Sequence, residues 1–533
     1  MVSSARAVRS GLARWIPFTR SKIGNGRKTP ASVIVIGAGI GGLAAAARLA
    51  RAGLRVTVVE KAPMPGGRVS QFKRDGYTFD TGATMILAPK VFAQTYSELG
   101  ERFEEHLDLV RVDPSCRIHY DDGTHFDLTG DLKALQAQME RIEPGSFARA
   151  LRYIAEGAEM MDVGLREFLG RDFETFFEFF SPANLPLLLR MKVLVNHYTN
   201  VSRYFEDDRL RKAFSFQNMY LGLSPFDAPA TYSVLQFTEL ADGVHFPRGG
   251  MYQLIESLYG LARKWGVVFR FNAPVARIDV AGSRATGVTL AGGEHLPADL
   301  VLANADLPYV FARLLPDDGE ADRLRKLKYT SSQLVFLWGV NRRYPQLGQH
   351  NLFIARDYRA SFDRIFHDLA LPDDPSFYIN VPARGDPTLA PPDKDGIMAM
   401  VPVGHLDQDH PQDWDALRDR AREAVLRRLE QVGISDLRES NAFEATFGPP
   451  DYESQLNLMK GAAFGLAYNF TQIGYLRPHN QHRRYRNLYF VGASTHPGGG
   501  LPIVLMSAKL TTERMLRDAA LRSRSVRAVA RVA

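Results

Sequence analysis

Cysteine is nearly absent: Cys116 is the only one in 533 residues. One thiol cannot build a disulfide framework or a C-x-x-C redox pair, so it reads as a small buried hydrophobe. No H-E-x-x-H and no Cys/His cluster occurs, so no metal site is expected. Long apolar runs are missing too. The foremost uncharged apolar-rich stretch, Ala31 to Ala47, holds four glycines and falls short of a bilayer span. Leu488 to Ala508 is broken by His496, two prolines and four glycines. Sustained heptads and repeats are absent.

Acids are lacking at the start of the chain. Met1 to Ala31 carries five Arg and two Lys and no Asp or Glu, while Arg514 to Ala533 carries six Arg against Asp518. The whole chain has a formal net charge of +7, so the body between these ends is mildly acidic. Terminal basic tracts with no aromatic interleaving beyond Trp15 and Phe18 do not make a nucleic-acid surface, and no nucleic-acid partner is expected. Three readings of the N-terminal arm stand side by side. Wound as a helix, it places Val8, Leu12, Trp15 and Ile16 on one face, suited to an anionic membrane surface. The same composition suits a cleaved organelle-targeting segment. It also suits a solvated tail.

What is present is glycine at two chosen places. Val33-Ile34-Val35-Ile36 runs into Gly37-Ala38-Gly39-Ile40-Gly41-Gly42, and the chain continues through Leu49 and Gly53 to Val56-Thr57-Val58-Val59 and Glu60. This is strand, tight turn, helix, strand, acid. Gly37 permits the turn, Gly39 lets backbone approach a pyrophosphate, and Gly42 lets helix and sheet pack closely. The helix start offers free N–H groups and a positive dipole end to phosphates. Glu60 stands where a carboxylate accepts hydrogen bonds from an adenosine ribose.

The following segment, from Lys61 to Pro65-Gly66-Gly67-Arg68, points to FAD rather than NAD. Its Gly pair turns back across the pyrophosphate, and Arg68 adds charge and planar donors. Near the other end, Leu488-Tyr489-Phe490-Val491 feeds Gly492, Ser494, Thr495, His496 and Gly498-Gly499-Gly500, with Pro502 where a helix begins. That helix start would stabilise negative charge on reduced flavin. No other G-x-G-x-x-G follows a strand, so no separate NAD(P)H site is expected. Arg248, Thr495 and Pro502 are expected to gather around the flavin.

The fold class is therefore α/β, with a Rossmann-type FAD-binding domain interrupted by excursions. Its parts are 32–99, 241–306 and 476–515. A helical and substrate lobe takes 100–240, a substrate lobe containing a β-sheet takes 307–475, and basic segments occupy 1–31 and 516–533. Within the middle part, Val275 opens a strand, and Val301 to Asp306 reads as a returning strand. Phe173, Phe176, Phe177 and Phe180 have the spacing of a buried helix face. The competing reading leaves part of this cluster, with Leu185 to Leu189 and Val193 to Val195, on the surface as a doorway into a bilayer.

Asp80-Thr81-Gly82-Ala83-Thr84-Met85, Pro225 to Ser233, Glu239 to Gly250, Arg343 to Leu347 and Thr495-His496-Pro497-Gly498 together resemble the bacterial and fungal carotenoid desaturases of the phytoene desaturase type. The resemblance runs from about Ser32 to Met515. It implies a glutathione-reductase- and amine-oxidase-like flavoprotein fold, while the single Cys116 excludes the disulfide reductases, which share the flavin fingerprint but need a Cys pair. Val275 takes the place beside the adenine by this resemblance. The implied activity is FAD-dependent dehydrogenation of phytoene towards neurosporene or lycopene. Flavin-dependent carotenoid isomerases and ketolases of the same family are alternatives, and a non-catalytic prenyl-protein escort is an alternative of another class. Many related flavoproteins carry Asp directly after the Gly of the last strand, whereas here Gly492 is followed by Ala493 and Ser494.

A forty-carbon polyene left in water is unfavourable by tens of kcal/mol, at roughly 0.8 kcal/mol per CH₂-sized group. The enzyme must therefore draw it from a membrane, and a cytoplasmic, peripherally membrane-associated protein is expected. With no nicotinamide site, a quinone or oxygen is the expected electron acceptor. Asp227, Glu239, Asp242 and His496 are the candidates for accepting the proton.

Overall fold

Strands of unbroken apolar residues are expected where a sheet is covered on both faces. SVIVI at Ser32–Ile36, RVTVV at Arg55–Val59 and LVLA at Leu300–Ala303 are such strands. In the computed structural model they lie parallel in a five-stranded sheet, ordered Leu488–Phe490, Leu300–Ala303, Ser32–Ile36, Arg55–Val59, Val268–Arg270. The structure describes residues 30–316 and 319–529, with side chains as far as 519. The arm at 1–29 lies outside the described residues.

Alternation along the first strand divides the core. Val33 and Val35 face one cluster, with Leu43 and Leu254, while Ile34 and Ile36 face another, with Ile278 and Val288. The first cluster is closed by the helix Ile40–Arg51, buried from Ile40 through Leu49, which packs against the helices Tyr252–Lys264 and Leu501–Val529. The second is closed by the antiparallel meander Val275–Ala281, Arg284–Leu290 and His295–Pro297. The first and last parts of the chain thus share one sheet and one helix layer.

A seven-stranded sheet forms the other body: Asn441–Phe447, Ser332–Val340, Asp395–Val403, Phe377–Asn380, His350–Phe353, Cys116–His119 and His125–Leu128. It draws on both excursions, because Cys116–His119 pairs in parallel with His350–Phe353. One face carries Leu334, Phe336 and Trp338 against the amphipathic helix Trp414–Glu430. The other carries Tyr378, Met400 and Phe447 towards a large cavity. Helices from 132 to 237 close that cavity from the far side, chief among them Ser146–Val163, packed on Ser233–Phe237.

Among the described residues no helix is long and apolar enough to cross a membrane, and no group of three His, Cys, Asp or Glu is placed to hold a metal ion.

Candidate active site

The first glycine turn is fixed by backbone contact. Gly37 has φ +98°, and a Cβ on Gly42 would lie 2.2 Å from the Gly37 carbonyl oxygen. Gly66 donates its N–H to the Ala38 carbonyl at 3.0 Å, and Gly67 (φ +58°) brings its backbone over Gly39. Glu60 joins the two turns: its carboxylate accepts from Ala38 N–H at 2.7 Å and Ala62 N–H at 2.9 Å. Lys61 stands beside it, its amine pulled below the usual range by burial and partly restored by Glu60. Gly39, Glu60, Lys61, Gly67, Arg68 and Val275 all line the cavity.

The second turn meets the first at a residue the sequence reading left unassigned. Asn304 follows the strand Leu300–Ala303, and its carboxamide fills the space between the turns. A Cβ on Gly39 would sit 2.9 Å from its Nδ2, on Gly41 2.6 Å from its Oδ1, and on Gly492 3.3 Å from its Oδ1. Asp306, two residues on, accepts from Ser494 Oγ and from Met459 N–H at 3.1 Å. Burial pushes its carboxyl up, against the pull of Ser494, Met459, Arg68 and Arg477. A carboxylate, absent directly after Gly492, thus stands beside Ser494 in the segment that follows the strand Leu300–Ala303. The usable signal was position: both residues lie just past the end of a central parallel strand, where open α/β sheets bind ligands.

These turns fit a dinucleotide. Backbone replaces side chain wherever a Cβ would intrude, the helices Ile40–Arg51 and Leu501–Val529 begin at the cavity wall, and Glu60 keeps lone pairs for hydroxyl donors. The cavity has a volume of about 1090 Å³, large against the ~300–1,000 Å³ of ordinary ligand pockets. Past Gly492 and Pro502 its walls turn apolar, with Phe168, Leu188, Met191, Val234, Leu352 and Phe377.

The expected site residues divide. Thr495 does not reach the cavity; its hydroxyl donates to the Gly492 carbonyl at 3.2 Å and lies near Asn480 and Ser507, on the reverse of the turn that presents Ser494. Arg248 is half exposed and paired with Asp108 at 3.0 Å, so it does not gather with Thr495 and Pro502. Asp227 is exposed in the turn after Ser224 and lines no part of the cavity. Glu239 is buried behind the wall formed by Tyr220. It accepts from Ser115 Oγ at 2.8 Å and Gln217 Nε2 at 3.3 Å, and burial pushes it up to about 7. Asp242 does line the cavity, at a rim where Lys90 donates to it at 2.9 Å. His496 lines it as well. Its Nε2–H donates to the Arg171 carbonyl at 2.8 Å, and burial lowers the ring's pKa to about 4, so it is neutral.

Buried neutral histidines recur. Burial holds His119 and His197 at about 4 and His350 at about 3, against about 6.5 in an unfolded chain. Each stabilises the fold above pH 6.5 by about 3 kcal/mol, lost as pH falls towards 4, because the unfolded chain takes up protons the folded one refuses. Asp80 and Glu239, both raised to about 7, work oppositely, their stabilisation present at low pH and lost as pH rises through 7. Four rings outweigh two carboxyls. Melting temperature is expected to fall steeply from pH 6.5 to 4, and less steeply in His350→Asn; a flat profile over that range would refute the assignment.

The phenylalanine cluster departs from its helical spacing. The helix there is a single turn, Phe176–Phe179, too short for an i, i+3, i+4 face to form. Phe173 and Phe179 are buried, but Phe177 is 82 % exposed and Phe176 47 %. Leu185, Leu189 and Leu194 are exposed alongside, at 58, 62 and 73 %. Their neighbours Phe179, Leu188, Met191 and Val193 line the cavity from within.

Residues 40–516 match the family described as flavin containing amine oxidoreductase. The zeta-carotene-forming phytoene desaturase of Myxococcus xanthus is 45 % identical over 487 residues, covering 91 % of this chain and 93 % of that protein. The phytoene desaturase of Phycomyces blakesleeanus is 41 % identical over 496 residues, covering 91 and 85 %. The 4,4'-diapophytoene desaturase (4,4'-diaponeurosporene-forming) of Staphylococcus haemolyticus is 37 % identical over 500 residues, covering 91 and 99 %. Among solved structures, an oxidoreductase from Methanosarcina mazei aligns with TM-score 0.62 at 18 % identity, over 90 % of this chain and all of that one. Wild-type putrescine oxidase bound to putrescine aligns with TM-score 0.60 at 17 % identity, over 92 and 99 %. These two alignments speak for the fold.

Proposed function

The chain belongs to the phytoene desaturases of the flavin-containing amine oxidoreductase family, and on that premise we propose how its residues divide the work of dehydrogenating a phytoene-type polyene. The observation that carries this reading is the continuity of the cavity: one space of about 1090 Å³ is lined both by the glycine cradle and by apolar walls.

FAD, when bound, accepts the hydride-equivalent from an allylic CH₂–CH₂ unit. The protein's part is position, dryness and the proton. Gly39, Gly67 and the N–H groups opening the helix at Ile40 would hold the pyrophosphate, with Gly42, which does not line the cavity, letting that helix pack on the Gly37 turn. Glu60 would receive the ribose hydroxyls and Val275 would border the adenine. Arg68, Gly492, Ser494 and the helix start at Pro502 flank the flavin end, with Asn304 and Asp306 added to the set. Apolar walls exclude water and align the reacting carbon pair, which needs an approach of about 3–3.5 Å.

Of the four acid–base candidates only Asp242 and His496 line the cavity, and Lys90 holds Asp242 at the rim. His496 is therefore assigned the proton. Its ring is neutral, and with Nε2–H given to Arg171 the basic nitrogen is Nδ1, which is buried without a partner and would have to turn towards the cavity to act. A weak base suffices because the allylic cation left by hydride loss is a strong acid. His496→Gln is expected to lower kcat on the order of 10²-fold with flavin retained, while Asp227→Asn stays within about twofold. Equal kcat in the two variants would remove His496 from this role.

Substrate entry is assigned to the exposed patch of Phe177, Leu189 and Leu194, whose neighbours line the cavity, so a polyene passes from bilayer to tunnel without crossing water. A membrane quinone is the acceptor that shares this phase, with oxygen as the alternative. Purified protein supplied with FAD, phytoene-loaded liposomes and a quinone is expected to develop visible polyene absorption, and to do so more slowly with oxygen alone. Bound flavin with no absorbance change would overturn the proposal, and altered double-bond geometry with no acceptor consumed and no longer polyene formed would indicate isomerisation.

A further inference from the structure

Behind the second glycine turn lies a cation with no anionic partner. Arg477 is 1 % exposed. Its Nε–H donates to the Thr495 carbonyl at 3.0 Å; one terminal nitrogen donates to Ala467 and Gln472 carbonyls at 3.0 and 3.1 Å; the other donates to Leu466 at 3.4 Å and to Ala493. All five donors of the guanidinium are used, and every acceptor is a neutral carbonyl. Tyr468 lays its ring 4.4 Å from the guanidinium carbon. Among the described residues no carboxylate pairs with it. Asp306 acts on it only through space, being held by Ser494 and Met459.

A buried charge is retained at a free-energy cost unless it is paired, and carbonyl dipoles orient around a charge without cancelling it. Arg477 therefore projects a positive potential into its surroundings. Two of its carbonyls, Ala493 and Thr495, belong to the turn whose Gly492, Ser494 and Gly498 line the cavity. Tyr468 lines it as well, and a Cβ on Gly498 would come within 3.8 Å of Arg477 Nε. A single layer of backbone separates the charge from the cavity. In so dry a place, charge acts with far less screening than in water.

We propose that Arg477 is a positioning residue for electrons: its buried charge, acting through the Gly492–Gly500 turn, favours the more negative reduced form of the flavin and raises its reduction potential. This rests on the reading that places FAD at that turn. It supplies something the reaction needs, since drawing hydride from a hydrocarbon with no electron-donating heteroatom calls for a strongly oxidising flavin. The helix start at Leu501 works in the same direction from the other side of the turn.

The test uses the full-length holoenzyme and measures flavin content first, then the midpoint potential of bound FAD by spectroelectrochemical titration. Wild type is expected above free FAD, Arg477→Gln shifted to more negative potential, and Arg477→Lys, which keeps the charge, restored towards wild type. Because the charge acts at one remove, the rate of flavin reduction by polyene should fall about tenfold in the Gln variant, less than the 10²–10³ of a donor in direct contact, with KM unchanged. A Gln variant that holds FAD at the wild-type potential overturns the inference. Should that variant lose its flavin, wild type and the Lys variant decide: both above free FAD sustains it, either at or below free FAD overturns it. Wild type that binds no FAD at all removes the flavin reading, and this inference with it.

Discussion

Gly42→Ala is expected to purify colourless and inactive, with FAD affinity down more than 10²-fold. Its added methyl would sit 2.2 Å from the Gly37 carbonyl oxygen and within 3.1–3.2 Å of Asn304. The first obstacle is backbone, so no rotamer change relieves it. The helix opening at Ile40 must move outward by more than an ångström, taking its N–H groups away from the turn that Glu60 and Gly66 hold in place. Overpacking of this kind costs about 1–3 kcal/mol in a core, and here the displacement falls on the atoms that grip phosphate. Gly260→Ala is the control. It lies in the helix Tyr252–Lys264 with open space around it, and it should gain about 0.5–1 kcal/mol while staying yellow. The ratio of flavin to protein absorbance reads both, and a yellow, active Gly42→Ala protein would refute the cradle.

The joint substitution Phe177→Ser, Leu189→Ser and Leu194→Ser is expected to weaken liposome binding about 10³-fold. Each side chain stands mostly in water in the isolated protein and would enter the hydrocarbon on docking. At about 25 cal/mol per Å², each transfer is worth roughly 1.5 kcal/mol, and tenfold in affinity is about 1.4 kcal/mol. Folding should be nearly indifferent, since exposed substitutions usually stay within about 0.5 kcal/mol. Flotation with liposomes reads the binding; kcat on detergent-dispersed phytoene should hold, which separates docking from chemistry. Unchanged flotation would move the doorway elsewhere.

The dinucleotide cradle was legible because its determinants are local. Gly37, Gly39 and Gly42 report a backbone path, and the runs around Val33 and Val56 report strands covered on both faces. Asn304 and Asp306 escaped notice because Val301 to Asp306 reads as one strand, whereas the strand stops at Ala303 and leaves both side chains at its ligand-binding end. Ser494 and Thr495 are chemically alike neighbours in an irregular turn; with no period to follow, the sequence cannot say which faces the cavity. Asp227 and Glu239 failed in opposite directions, one carried to the surface and one behind a wall, since burial of a lone carboxyl is decided by packing from distant segments. The same is true of the pairing of Cys116–His119 with His350–Phe353, two four-residue strands whose register depends on neighbours far along the chain.

The sheet that begins at Ser32 acquires its last strand, Leu488–Phe490, and its covering helix from Leu501, only after about 450 further residues have been made. At about 5–20 residues per second the nascent polypeptide spends roughly half a minute or more on the ribosome with its phosphate-gripping loop exposed and half its partners unmade. Cofactor loading is consequently expected only once the strand Leu488–Phe490 and the helix from Leu501 have joined the sheet. Until then the oily interior stands open, and cells short of riboflavin should accumulate this protein with chaperones.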